Sequence, residues 1–90
     1  MNLDKYEARL RTLPCIVGHK MGMSCKCEDL HHAGDPEERD DWAQIPLCRE
    51  HHTGAEGVHG LRRRVFHMRY KLTDVQMLAI TRQLYAREFE

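Results

Sequence analysis

The chain has 90 residues with 14 basic and 14 acidic side chains, so no global field draws it to a polyanion. A domain this small buries little apolar surface for its conformational entropy and often depends on a metal or disulfide staple. No run approaches the roughly 18 apolar residues of a membrane span, and no charged start leads into a long apolar stretch. A single cytosolic domain is expected, in which the four cysteines serve as metal ligands or free thiols rather than disulfides.

Residues 1–13 space Leu3, Tyr6, Leu10 and Leu13 near the helical period and run into Pro14, which predicts a short N-terminal helix. From Cys15 onward Gly18, Gly22 and Ser24 predict a loop or metal-binding turn, and Cys27 to His32 can run extended. Gly34-Asp35-Pro36 is a turn signal inside the polar stretch Ala33 to Asp41, an expected exposed loop. Trp42 to Leu47 alternates as a strand does, with Pro46 near its end, and a short helix should begin about Arg49. Gly54, Gly57 and Gly60 do not fit inside one helix, so that helix is expected to be brief or broken. Thr73-Asp74-Val75-Gln76 has the form of a capping box. It opens a C-terminal helix within residues 73–90, with an apolar face of Val75, Leu78, Ala79, Leu84 and Tyr85.

Charge is segregated along this neutral chain. Glu28, Asp29, Asp35, Glu37, Glu38, Asp40 and Asp41 face one Arg39, whereas Arg62, Arg63, Arg64, Arg69 and Lys71 follow with no acid among them. Such segregation can build a basic face, although a charge run alone is as often a solvated surface.

The pair His31-His32 ends the first expected strand, and Cys48-Arg49-Glu50-His51-His52 opens the expected helix. Imidazole and thiolate together bind borderline transition metals, and an imidazole beside a bound cation can take a proton from water. Neighbouring side chains on a strand point to opposite faces, so His31 and His32 should not share one task.

The order strand, loop, strand, short helix, with histidines at these positions, resembles the ββα-metal fingerprint of HNH endonucleases over about residues 13–72. The resemblance sharpens at Ile45-Pro46-Leu47-Cys48-Arg49-Glu50-His51-His52, Gly57-Val58-His59-Gly60 and Phe66-His67-Met68-Arg69-Tyr70. These are similar to the catalytic domain of phage Ref-type, RecA-dependent nucleases and their short relatives. The implied fold is α+β: a zinc-stapled ββα-metal core over residues 14–72, flanked by the helices of 1–13 and 73–90. The implied activity is hydrolysis of DNA phosphodiesters, with a histidine general base and one catalytic cation. Colicin-type DNases carry a double histidine here, which makes His31 a ligand and His32 the base; a broken pleat would exchange them. His52, on the first turn of the helix, and His59, after a glycine-permitted bend, complete the ligand set. Imidazole ligands favour manganese, nickel or zinc, and added carboxylate or water ligands would favour magnesium.

Cys48-x-x-His51 has zinc-knuckle spacing, and many HNH domains close a structural site with a CxxC pair before the first strand. Here the residue three after Cys15 is Gly18, so the fourth corner falls to Cys25, Cys27 or His19. Cys15, Cys25, Cys48 and His51 are the preferred set, with Cys27 next; four free thiols without zinc is the plainer alternative. The family asparagine on the second strand is absent, and Gln44 or a backbone carbonyl is expected to replace it. Arg62, Arg63, Arg64, Arg69 and Lys71 would contact DNA phosphates, while Phe66 and Tyr70 are expected in the core. The acidic loop Glu37 to Asp41 should stand away from the cleft or help hold a cation. The resemblance further implies a phage or prophage protein of the bacterial cytoplasm, acting in recombination or DNA processing, with recombinase-coated single-stranded DNA as one substrate setting. A zinc-binding module that docks nucleic acid or protein without cutting is the competing reading. It gives no reason for four further histidines to converge.

Overall fold

The computed structural model describes residues 1–34, 37 and 39–90. Asp35 and Pro36 of the expected turn lie outside the described residues, as does Glu38 of the acidic loop. The chain is a small α+β protein whose elements run in order α1 (Leu3–Leu10), α2 (Ile16–Met21), β1 (Asp29–His32), β2 (Gln44–Leu47), α3 (Arg49–His52), α4 (Val58–Leu61), α5 (Arg63–Tyr70) and α6 (Asp74–Phe89). No helix among the described residues is long and apolar enough to cross a membrane.

β1 and β2 form an antiparallel two-stranded sheet in which His31 stands opposite Ile45 and His32 opposite Gln44. Pro46 lies inside β2, paired with Leu30; a two-stranded sheet has only edge strands, where a missing N–H is tolerated. Isolated, such a sheet is marginal. Here β2 is buried along its whole length against helices, with Ile45 and Leu47 fully enclosed beside Ile16, Val17, Phe66 and Met77. A smaller cluster of Leu10, Leu13 and Tyr85 fastens α1 to α6.

Two expectations are corrected in detail, and a third is sharpened. The stretch after Cys15 is not a plain loop: α2 forms there, because Cys15 Sγ caps it and Ile16 and Val17 find the core. The broken helix after Arg49 is three separate pieces, α3, α4 and α5. On α6 the buried stripe is Met77, Thr81 and Tyr85, spaced four apart, while Val75 is 77% exposed. The helix turns that stripe inward because its first residue, Asp74, is itself buried by polar contacts described below. The capping box is present: Thr73 Oγ1 accepts from Gln76 N, and Gln76 Oε1 accepts from Thr73 N.

Candidate functional site

Two short helices present the first cluster. Cys15 caps α2 and Cys48 caps α3, their Sγ atoms accepting the backbone N–H three residues on, from Gly18 at 3.5 Å and His51 at 3.4 Å. His51 Nδ1 lies 3.1 Å from Cys48 Sγ, 3.5 Å from Cys15 Sγ and 3.7 Å from Cys25 Sγ. Zinc bonds of about 2.3 Å to sulfur and 2.0 Å to nitrogen, opened to the tetrahedral angle, place S and N about 3.5 Å apart. All four ligand atoms lie within 4.8 Å of one another, so Cys15, Cys25, Cys48 and His51 could hold a metal ion such as zinc.

The missing second cysteine of the first knuckle has a local explanation. A Cβ on Gly18 would lie 2.2 Å from Cys25 Sγ, so Cys25 reaches into the space a side chain at 18 would fill. The backbone delivers it: Cys15 N donates to Cys25 O at 3.1 Å, beside a bridge between Pro14 and Lys26. Cys27 is outside the group, its Sγ directed to Asp29 O at 3.4 Å, and His19 is exposed on α2. Burial, then the neighbouring Cys15 and Cys48, pushes the Cys25 thiol up to about 12, and burial also raises Cys48. Thiolates are therefore disfavoured there unless a cation compensates them. Burial lowers His51, which keeps its imidazole neutral, the form that ligates.

His52, next along α3, joins a different group. His31, His52 and His59 place their ligand atoms within 4.8 Å of one another, with ring centroids 5.4 Å (His31–His52), 5.6 Å (His31–His59) and 4.8 Å (His52–His59) apart. Gly57 makes this approach feasible, since a Cβ there would sit 2.6 Å from Glu50 O and 2.7 Å from the carbonyl carbons of His51 and His52. A larger residue would lift α4, and His59 with it, off α3. His52 Nδ1 lies 3.1 Å from Asp29 Oδ2; the carboxylate can only accept, so Nδ1 donates to it and Nε2 is the ring nitrogen left for a cation. That bond, chiefly, holds the Asp29 carboxyl below its ordinary range. His59 is lowered by partial burial and then by the other two imidazoles, favouring the ligating neutral form. His31 is 5% exposed and its buried Nε2 has no hydrogen-bond partner among the described residues, with Asp74 Oδ1 at 3.9 Å. An orphaned buried nitrogen costs stability unless something else occupies it.

These rings line a cleft of about 330 Å³ together with Leu30, His32, Gly34, Arg39 and Arg63. The strand's alternation separates the paired histidines as expected: Asp29 and His31 both meet His52, whereas His32 turns to Asp41, with Nε2 3.1 Å from Oδ1. The acidic loop does not stand clear of the cleft, because that contact brings Asp41 to its rim. Gln44, at the position expected to stand in for the family asparagine, is buried at 2% exposure, and its Nε2 donates to Asp41 O at 2.6 Å.

Sequence reasoning missed Asp29, Asp41, His67 and Asp74. Asp74 is a polar hub: Oδ1 accepts from His67 Nε2 at 3.0 Å, Oδ2 accepts from Gly34 N at 2.9 Å, and Arg63 Nε lies 3.6 Å from Oδ2. Burial alone would raise its carboxyl, but His31, the Gly34 N–H and His67 outweigh that and hold it far below the usual range. Among the expected DNA contacts, Arg62 and Arg63 line a groove beside His31 and His59. Arg64 and Lys71 are exposed, and Arg69 pairs with Glu56. Phe66 is fully buried, and Tyr70 packs on it with ring centroids 4.9 Å apart. No family model matches the chain, and neither a curated protein nor a solved structure is significantly similar to it.

Proposed function

We propose that the chain is a metal-dependent DNA endonuclease of the HNH type. The observation that carries this reading is the convergence of His31, His52 and His59 in an open cleft, with the unpartnered Nε2 of His31 among them and a fourth imidazole, His32, beside them. Three imidazoles suit manganese, nickel or zinc more than magnesium, which would need oxygen ligands from water or substrate. When bound, such a cation supplies charge stabilisation to a scissile phosphate and to the leaving 3′ oxygen. His32 takes the proton from the attacking water, and Arg63 and Arg62 orient the phosphates along the adjacent groove. The Cys15, Cys25, Cys48 and His51 cluster acts as a structural staple, fixing α3 and thereby His52.

The test is plasmid nicking by the zinc-loaded protein with manganese, nickel, zinc or magnesium added, comparing the wild type with His32→Ala and His52→Ala. Cation-dependent nicking that each substitution lowers by at least about 100-fold, to a measurable residue, is the expected result. Nicking that survives His32→Ala removes the assigned base. No nicking with any cation, while zinc stays stoichiometrically bound, favours the non-cutting zinc module. Parallel reactions on recombinase-coated single strands decide whether that setting is required.

A further inference from the structure

We infer that Asp41 is a positioning residue for His32, held in place by Gln44, and that this pair aims the general base of the endonuclease read above. The inference rests on that reading for its catalytic consequence and on contact geometry for its substance. His32 is the last residue of β1, paired with Gln44, so its backbone is fixed while its ring still needs an anchor. Its Nε2 lies 3.1 Å from Asp41 Oδ1, and a carboxylate can only accept, so Nε2 donates and Nδ1 is the ring nitrogen left to face water. A base needs that division: one nitrogen anchored, the other bare.

The anchor is itself anchored. Gln44 lies opposite His32 in the sheet register and is 2% exposed. Its amide nitrogen donates both to Asp41 O at 2.6 Å and to Glu7 Oε2 at 2.6 Å, tying the backbone of residue 41 to α1. On the near side Trp42 N donates to Asp40 Oδ1 at 2.9 Å, and Ala33 N closes the hairpin onto Ala43 O at 2.8 Å. Asp41 thus projects from a turn fixed at both ends. Arg39 Nε lies 3.3 Å from the same Oδ1 and lines the cleft, so the carboxylate sits between the imidazole and a cation on the rim.

The experiment compares wild type, Asp41→Ala, Asp41→Asn, His32→Ala and the double variant His32→Ala/Asp41→Ala in single-turnover cleavage with manganese. Imidazole proton–nitrogen correlation spectra are recorded on zinc-loaded protein without a second cation. Asp41→Ala should lower kcat by about 10- to 100-fold with KM and manganese affinity unchanged, the usual scale for losing an imidazole's outer partner. Asp41→Asn, which keeps an acceptor oxygen, should lose less. In the His32→Ala background the second substitution should cost nothing more, because Asp41 acts through His32. The hydrogen-bonded His32 Nε2–H signal should disappear in Asp41→Ala. An equal loss in the His32→Ala background, an unchanged kcat, or a His32 signal indifferent to Asp41→Ala would each overturn the inference. If the wild type cuts no DNA, the endonuclease reading fails by itself, and the spectrum still decides whether Asp41 orients His32.

Discussion

His51 and His52 are consecutive on α3, and their surroundings set what each can do. His51 is buried against three thiols at 3.1 to 3.7 Å, a donor set of four that matches a tetrahedral site. His52 faces two imidazoles across a cleft of about 330 Å³, with a carboxylate behind it and space in front. A closed tetrahedral site contributes folding energy; a site with open positions can admit a substrate. One turn of helix therefore serves two different clusters, and on the proposed reading their roles should be separable by substitution.

The largest effect expected is on the closed cluster. Structural zinc binding in small domains is worth about 10 kcal/mol or more, comparable with the whole stability of a domain this size. Cys48→Ala, or a strong zinc chelator, should abolish cooperative thermal unfolding and near-ultraviolet dichroism. Cys25→Ser should lose zinc in the same way, whereas Cys27→Ser should retain one zinc per chain and a melting temperature within a few degrees of wild type. Equal zinc loss in both serine variants would mean the fourth corner is shared. On the open cluster the pattern reverses: His52→Ala and His59→Ala should keep zinc and fold but lose cation-dependent nicking by at least about 100-fold, with calorimetry showing weakened manganese binding. A His52→Ala protein that unfolds would show that the two clusters are not separable.

The closed cluster was nearly legible in the sequence, since Cys48-x-x-His51 is a local spacing and a helix N-terminus fixes its geometry. Cys25 was preferred to Cys27 from the sequence and does join the cluster, but the reason lay outside it, in the bridge from Pro14 to Lys26 and the space left by Gly18. The three histidines of the open cluster were legible from their order, and the carboxylates behind them only in part. Asp29, two residues before His31 on one strand face, carried a signal in the period-two pattern. Asp74 did not, because it reads as the second residue of a capping box and meets Gly34 from 40 positions away. The apolar face of α6 was read correctly at Leu78, Leu84 and Tyr85, which pack on the core clusters, and wrongly at Val75 and Ala79, which are exposed.

That hub makes the capping box a lever on the open site. Thr73→Ala removes the acceptor of the Gln76 N–H and should cost about 1 kcal/mol, lowering the melting temperature by roughly 4–8 °C. Because Asp74 follows Thr73 and holds Gly34, nicking should fall more than zinc content, which stays at one per chain. Loss of zinc alongside activity would place the effect in global unfolding instead.

The smallest effect concerns Arg62, which joins α4 to α5 at φ 73° and ψ 152°, a conformation nearly reserved for glycine. Holding a side chain there costs about 1–3 kcal/mol, offset in a glycine variant by roughly 0.5–1 kcal/mol of added freedom in the unfolded chain. Arg62→Gly should therefore raise the melting temperature by a few degrees. The same side chain lines the groove beside His31 and His59, so DNA affinity should fall several-fold and the salt slope of binding should shrink by roughly one. A variant that is more stable and binds DNA more weakly would mean that strain is retained at this joint for a phosphate contact of the open cluster. A more stable variant with unchanged binding would take Arg62 out of the DNA path, leaving Arg63 as the cationic side chain of that groove.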